Sequence, residues 1–376
     1  MKIIWVLFLL IVTSTLIFWG FSRVAGRKSD ISLIKPEPLA SNSKRSEPLK
    51  VKVSIPYWDQ TKALSSFREN VDLVDYISLF WYFLGSDGEI HKYEFAQEDL
   101  SIINFAHDNG VKVEVVITNL PEDGGWDSDR VENVLKNEDL LEKHIEEIVD
   151  LTQKLNVDGI DIDYEQLDKD LTDDFSGFIQ DLGKALRDKG KYLGVALHPK
   201  SADGIGNQNG ALSQDWKELA KGADNLYIMA FNEHWDEGGP GPIASLPWVE
   251  RIVKYAQNLG IDKSKLFLTI PLFGYDWKKG SDEDARGLTF LDVGKIVSDY
   301  GGEIEWDEGV TSPYFRYEKN GREHEVWFEN ERSVKAKIEL AESAGFAGIT
   351  FWRLGGEDPQ IWKEISAALP VLLSRW

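Results

Sequence analysis

The chain has 376 residues, enough for one large domain with a substantial core or for two smaller ones. Its formal charge of -22 argues against nucleic acid or an anionic membrane surface as a partner, and suits a neutral or basic substrate. The absence of cysteine excludes disulfides, thiolate metal sites and a cysteine nucleophile.

After Met1-Lys2, the stretch Ile3 to Phe21 carries no charge and is dominated by aliphatic and aromatic residues. It is close to the ~20 residues that cross a bilayer as a helix. Residues 1–28 are expected to be a signal peptide or an uncleaved membrane anchor, with Val24-Ala25-Gly26 as the only candidate cleavage site. Arg23, Arg27 and Lys28 follow the segment, and the simplest charge rule would keep the following chain inside. A short N-terminal segment can direct export despite such flanks, so the expected location is the outer side of the membrane, anchored or secreted. Residues 29–50, rich in Ser, Lys, Glu and Pro, read as a flexible linker.

From Val51 short β-rich runs alternate with helical stretches. The predicted strands are Val51–Pro56, Tyr76–Phe83, Val111–Thr118, Gly159–Tyr164, Tyr192–His198, Asn225–Phe231, Leu266–Pro271 and Gly348–Trp352. The predicted helices are Gln60–Glu69, Gln97–Asp108, Asp139–Leu155, Thr172–Asp188, Ser213–Lys221, Leu246–Asn258, Arg332–Ser343 and Pro359–Leu369. Eight strands, each followed by a helix, make the count of a (β/α)8 TIM barrel spanning 51–376. A doubly wound open sheet is the competitor, but no Gly-x-Gly-x-x-Gly follows an early strand. Residues 273–328 break the rhythm with turns, a short helical piece and alternating runs. They read as a small α+β insertion after strand 7 that builds a wall of the binding groove.

The fourth predicted strand holds the most informative pattern. In Asp158-Gly159-Ile160-Asp161-Ile162-Asp163-Tyr164-Glu165, three carboxylates recur at period two within an apolar run. Residues two apart in a strand share a face, so Asp161, Asp163 and Glu165 stack on one side. Burying like charges together favours at least one raised pKa, which is what a general acid needs. A solvated edge strand is the plain alternative, and a calcium or magnesium site is another. Zinc is disfavoured, since there is no His-Glu-x-x-His.

Active sites of such barrels lie at the C-terminal ends of the strands. Tyr57, Trp58, Trp81, Tyr82, Asn119, His198, Met229, Asn232, His234, Trp235, Tyr275, Trp277, Trp352 and Arg353 fall there and suit a sugar site. Tryptophans beside carboxylates make stacking platforms for the apolar face of a pyranose ring. For any single tryptophan, core packing is an equal explanation.

Asp158-x-x-Asp161-x-Asp163-x-Glu165 resembles the signature of glycoside hydrolase family 18, the chitinase-type (β/α)8 enzymes. Further segments resemble its bacterial spore-cortex-lysin-like and peptidoglycan-associated branch. They are Met229-Ala230-Phe231-Asn232-Glu233-His234-Trp235, Gly241–Ser245, Pro271–Trp277, Val326–Glu329 and Phe351–Asp358. The resemblance implies retaining hydrolysis of β-1,4-linked N-acetylglucosamine-containing glycans, chitin-like or peptidoglycan, by substrate assistance. It makes Glu165 the proton donor and Asp163 the residue that orients the acetamido group. Asp161 shares a proton or hydrogen bond with Asp163, Asp158 supports the network from below, and Trp352 forms the sugar floor. No cofactor or metal is implied, and a monomer is expected.

One motif departs from the family. Most active members have Met-x-Tyr-Asp where this chain has Met229-Ala230-Phe231-Asn232. The missing hydroxyl is expected to slow turnover, unless Tyr227 or Tyr275 supplies it, since one positioned donor is worth ~3 kcal/mol in such a setting. A catalytically weak glycan-binding module and a cation-binding structural domain remain as alternatives.

Overall fold

A computed structural model of the chain describes residues 48–122, 124–203 and 209–368. The strands in chain order are β1 Lys50–Pro56, β2 Tyr76–Leu84, β3 Ile90–Lys92, β4 Lys112–Thr118, β5 Gly159–Asp163, β6 Tyr192–Leu197, β7 Asn225–Met229 and β8 Leu266–Pro271. The excursion carries β9 Phe273–Lys278, β10 Arg286–Thr289, β11 Glu305–Asp307, β12 Ser312–Lys319 and β13 Arg322–Trp327, and β14 is Gly348–Trp352. Parallel pairing runs β1-β14-β8-β7-β6-β5-β4-β2, and β1 also pairs with β2, so the sheet closes on itself. This is an eight-stranded (β/α)8 barrel. The short β3 adds a strand antiparallel to β2 that sequence patterning did not anticipate.

Strand alternation separates the two sides of the barrel wall. In β5, Ile160 and Ile162 have no exposed surface and pack toward the helical layer, which leaves Asp161 and Asp163 on the inner face. The helix Glu138–Leu155 before β5 is capped by Asn137, whose side chain accepts from the Leu140 amide, and it ends at Asn156 in the left-handed region. Thr172–Arg187, after β5, carries Asp173 and Asp174 in its first turn and Lys184 and Arg187 in its last, which suits the helix dipole. A helix over Ser128–Leu135, capped by Asp127, lies where the sequence patterning assigned no element.

The insertion is an antiparallel sheet of order β10-β9-β13-β12-β11 with the helix Phe290–Tyr300 against it. Leu288, Val293, Ile296, Phe315, Val326 and Phe328 form a small core of its own. Among the described residues no helix is long and apolar enough to cross a membrane. The apolar segment Ile3 to Phe21 and nearly all of the expected linker lie outside the described residues.

Candidate active site

The C-terminal ends of the strands open into a cavity of about 1020 Å³. Asp161, Asp163 and Glu165 line it together, so the period-two acids share one face as their spacing requires. Asp161 and Asp163 are buried, and the Glu165 side chain keeps 17% exposure at the open end. Asn119, at the end of β4, fixes the Glu165 backbone. Its Nδ2 donates to the Glu165 carbonyl at 2.9 Å, and its Oδ1 accepts from the Glu165 amide at 2.8 Å.

Burial sets the electrostatics. It pushes Asp163 up to about 8, helped by the charge of Asp161 and opposed by that of Lys52. Burial, and then the charge of Asp163, hold Glu165 well above the usual carboxylate range. Glu165 Oε2 lies 3.5 Å from Nε2 of His198. That ring is driven down to about 4 by burial and the Lys200 charge, so it is neutral. The Gln166 amide donates to the same Nε2 at 3.3 Å, which places the ring proton on Nδ1. A protonated carboxylic acid at the mouth of an enclosed cavity is equipped to donate its proton.

Beneath the ladder lies a group the sequence reading passed over. Lys52 is 1% exposed, and its Nζ sits 2.6 Å from both Asp161 Oδ2 and Glu114 Oε2. The same amine is 3.2 Å from the centre of the Tyr227 ring, and the Tyr227 hydroxyl donates to Glu114. Gly194 makes this possible, because a Cβ there would fall 2.4 Å from the Tyr227 ring. The signal was available in the strands themselves, where Lys52 and Glu114 hold inward positions in otherwise apolar runs.

Aromatic residues form the sides. Trp352 and Trp58 line the cavity with ring centres 6.3 Å apart, and Phe80 packs between them and the barrel. Met229, Phe231 and Asn232 also line it, with Phe231 edge-on to Phe273. Trp126, Glu233 and Trp235 complete the far rim.

Several residues expected to bind substrate are placed otherwise. Trp81 is wholly buried and donates its indole N–H to Gln60, because alternation from Ser78, which bonds Ser54, puts Phe80 on the cavity side and Trp81 on the other face. Trp277 is buried in the insertion and donates to the Gly238 carbonyl. Tyr57 stacks on Tyr93 behind the lining, where Trp58 takes the open position. Arg353 pairs with Asp59 at 2.8 Å and lies over the Trp58 ring, so it braces that ring. Asn119 has no exposed surface and reaches the site only through Glu165. Tyr227 faces the cavity, but its hydroxyl is committed to Glu114; Tyr275 stands outside the lining, its hydroxyl 3.5 Å from Asn232 Oδ1. Asp158 lies at the opposite end of β5, accepting from the Val113 amide at 2.8 Å and 2.9 Å from His107. It anchors the strand and does not touch the ladder.

A cation-binding reading of the acids finds its positive charge already supplied by Lys52. Among the described residues, the grouping with ligand atoms close enough for a metal ion is Asp87, Glu89 and His91, exposed in the β2–β3 hairpin.

A closed (β/α)8 barrel with a carboxylate ladder on one inner strand and an aromatic-walled cavity defines a glycosidase. Residues 53–357 match the family model of glycosyl hydrolases family 18, and the chain belongs to that family. It is therefore a glycoside hydrolase, and cortex-lytic enzymes and chitinases are among the proteins it resembles. The cortical fragment-lytic enzyme of Bacillus anthracis is 27% identical over 309 residues, covering 81% of this chain and 68% of that one. The crystal structure of a chitinase from Chromobacterium violaceum superimposes with a TM-score of 0.77 at 27% identity, over 85% of this chain and 98% of that one. The spore cortex-lytic enzyme SleL of Bacillus cereus shares the fold, with a TM-score of 0.78 at 23% identity over 86% and 75% of the two chains.

Proposed function

We propose that this glycosidase cleaves β-1,4 bonds in N-acetylglucosamine-containing glycans, chitin-like or peptidoglycan, with retention of configuration. The observation that carries the reading is Glu165, held at the cavity mouth by Asn119 with its pKa raised by burial. A sugar stacked on Trp352 would present its glycosidic oxygen to Glu165, which gives up its proton as the bond breaks. The acetamido oxygen of the same sugar closes on the anomeric carbon to give an oxazolinium ion. Asp163 accepts from the acetamido N–H through its unprotonated oxygen, while Glu165, now a carboxylate, activates the water that reopens the ring.

Glu165→Gln is expected to lower glycan cleavage by at least ~100-fold while leaving binding intact. The readout is mass spectrometry of ends released from chitooligosaccharides and purified peptidoglycan. Turnover near wild type would overturn the assignment, and so would a first-formed product of inverted anomeric configuration. A second reading, a weak glycan-binding module, is favoured by Phe231 lacking a hydroxyl while Tyr227 spends its own on Glu114. It predicts binding without new reducing ends. We also propose that the barrel acts as a monomer outside the membrane, carried there by residues 1–28.

A further inference from the structure

The cavity floor contains more charge than the reaction requires. Glu114 and Lys52 are both buried, on β4 and β1, and the Lys52 ammonium is already engaged by two carboxylates. Burying an ion pair is costly and commonly no better for stability than an apolar pair of the same size. Lys52 Nζ bridges the two acids, with Glu114 Oε2 on one side and Asp161 Oδ2 on the other.

We infer that Lys52, steadied by Glu114 and Tyr227, is a positioning residue that fixes Asp161 as a permanent anion at the base of the ladder, so that the mobile proton is carried above it by Asp163 and Glu165. The inference rests on the functional reading given above. Oδ2 is held at 2.6 Å from the ammonium, and the other Asp161 oxygen is buried and accepts no hydrogen bond. An anion locked there repels ionisation of Asp163, its neighbour two residues on. The groups facing Asp163 are few. Asp161 lies on its own strand and Glu165 two residues beyond it, Lys52 on β1, Glu114 on β4 and Tyr227 on β7. His198 reaches Glu165 from β6, and Tyr93 approaches beyond β3 with its hydroxyl on Thr118. Only Lys52 among them is a cation.

Without Lys52, Asp161 would be a buried charge with no cation beside it, a state that proteins avoid by neutralising the group. Asp163 would then lose the anion below it and ionise more easily. It would also lose the opposing pull of Lys52, but the Asp161 charge is the larger of the two influences. Its ionisation therefore moves to lower pH.

Lys52→Met alone strands Glu114, so the decisive variant is the pair Lys52→Met with Glu114→Gln, which leaves no charge unmatched at Glu114. The pH profile of kcat/KM on a chitooligosaccharide is compared with wild type, after thermal melting has verified the fold. The inflection belonging to Asp163 is identified by its loss in Asp163→Asn. The expected result is an acid-ward shift of that inflection by about one unit or more, with kcat down at least ~10-fold and KM within ~3-fold. A folded double variant with the wild-type profile would overturn the inference, and so would loss of the fold, since the pair would then be structural. A wild-type protein that cleaves nothing would instead count against the functional reading itself.

Discussion

Asp163 shows how far the site works against the fold that holds it. An exposed carboxyl ionises near ~3.9, whereas Asp163 is raised to about 8 in the folded chain. Between those values the folded state keeps a proton that the unfolded state has released. The resulting stabilisation is complete below the unfolded pKa and is lost as pH rises toward 8, at ~1.4 kcal/mol per unit. Asp163→Asn removes this liability. The variant is expected to melt above wild type at pH 7 to 8 and level with it near pH 4, when thermal unfolding is followed across that range. A Tm difference that does not change with pH would show that Asp163 ionises as readily in the fold as outside it. The same residue was legible in the sequence, because a period of two inside an apolar run fixes which side chains share a face whatever the tertiary structure. Trp81 was misplaced because adjacent aromatics at 80 and 81 offer a ring in either register, and it is the pairing of Ser78 with Ser54 that puts Phe80 inside and Trp81 outside.

The barrel strands were predictable to within two residues at most ends, since alternation and helix caps are local properties. The link among Lys52, Glu114 and Tyr227 was not, because they sit on β1, β4 and β7 and meet only once the sheet closes. Tyr227 was expected to offer its hydroxyl to substrate, and only the closed barrel shows that it forms one unit with Lys52 and Glu114. Gly194 on β6 is the notch that lets the Tyr227 ring lie across the interior. A methyl group there must displace the ring or the strand. Gly194→Ala is expected to destabilise the protein by ~1–3 kcal/mol, as overpacking does, and to reduce activity although no substrate contact is altered. Denaturant unfolding beside a turnover assay tests this, and wild-type values in both would mean that the ring has room to move. The insertion was legible as an excursion. Its role in bracing the β7 loop, through Trp277 to the Gly238 carbonyl, was not, because that bond joins residues far apart in sequence.

Taken whole, the chain is strongly acidic, at -22, and would be repelled by an anionic bilayer. None of the described helices is long and apolar enough to cross one. The proposed attachment through residues 1–28 can be tested by fractionation. The full chain is expected to pellet with membranes through a high-salt wash if residues 1–28 are retained, and residues 45–376 alone to stay in solution. Pelleting of the shorter chain would place the attachment on the barrel instead.

The strand that bears the acids is fastened at both ends by side chains reaching the backbone. Asp158 ties its lower end to Val113, and the Asn119 amide grips Glu165 at the upper end. Local fraying would have to break these ties before the acids could lose their alignment. Heat should therefore abolish the chemistry and the fold together, with no earlier stage in which the protein is intact but disarmed.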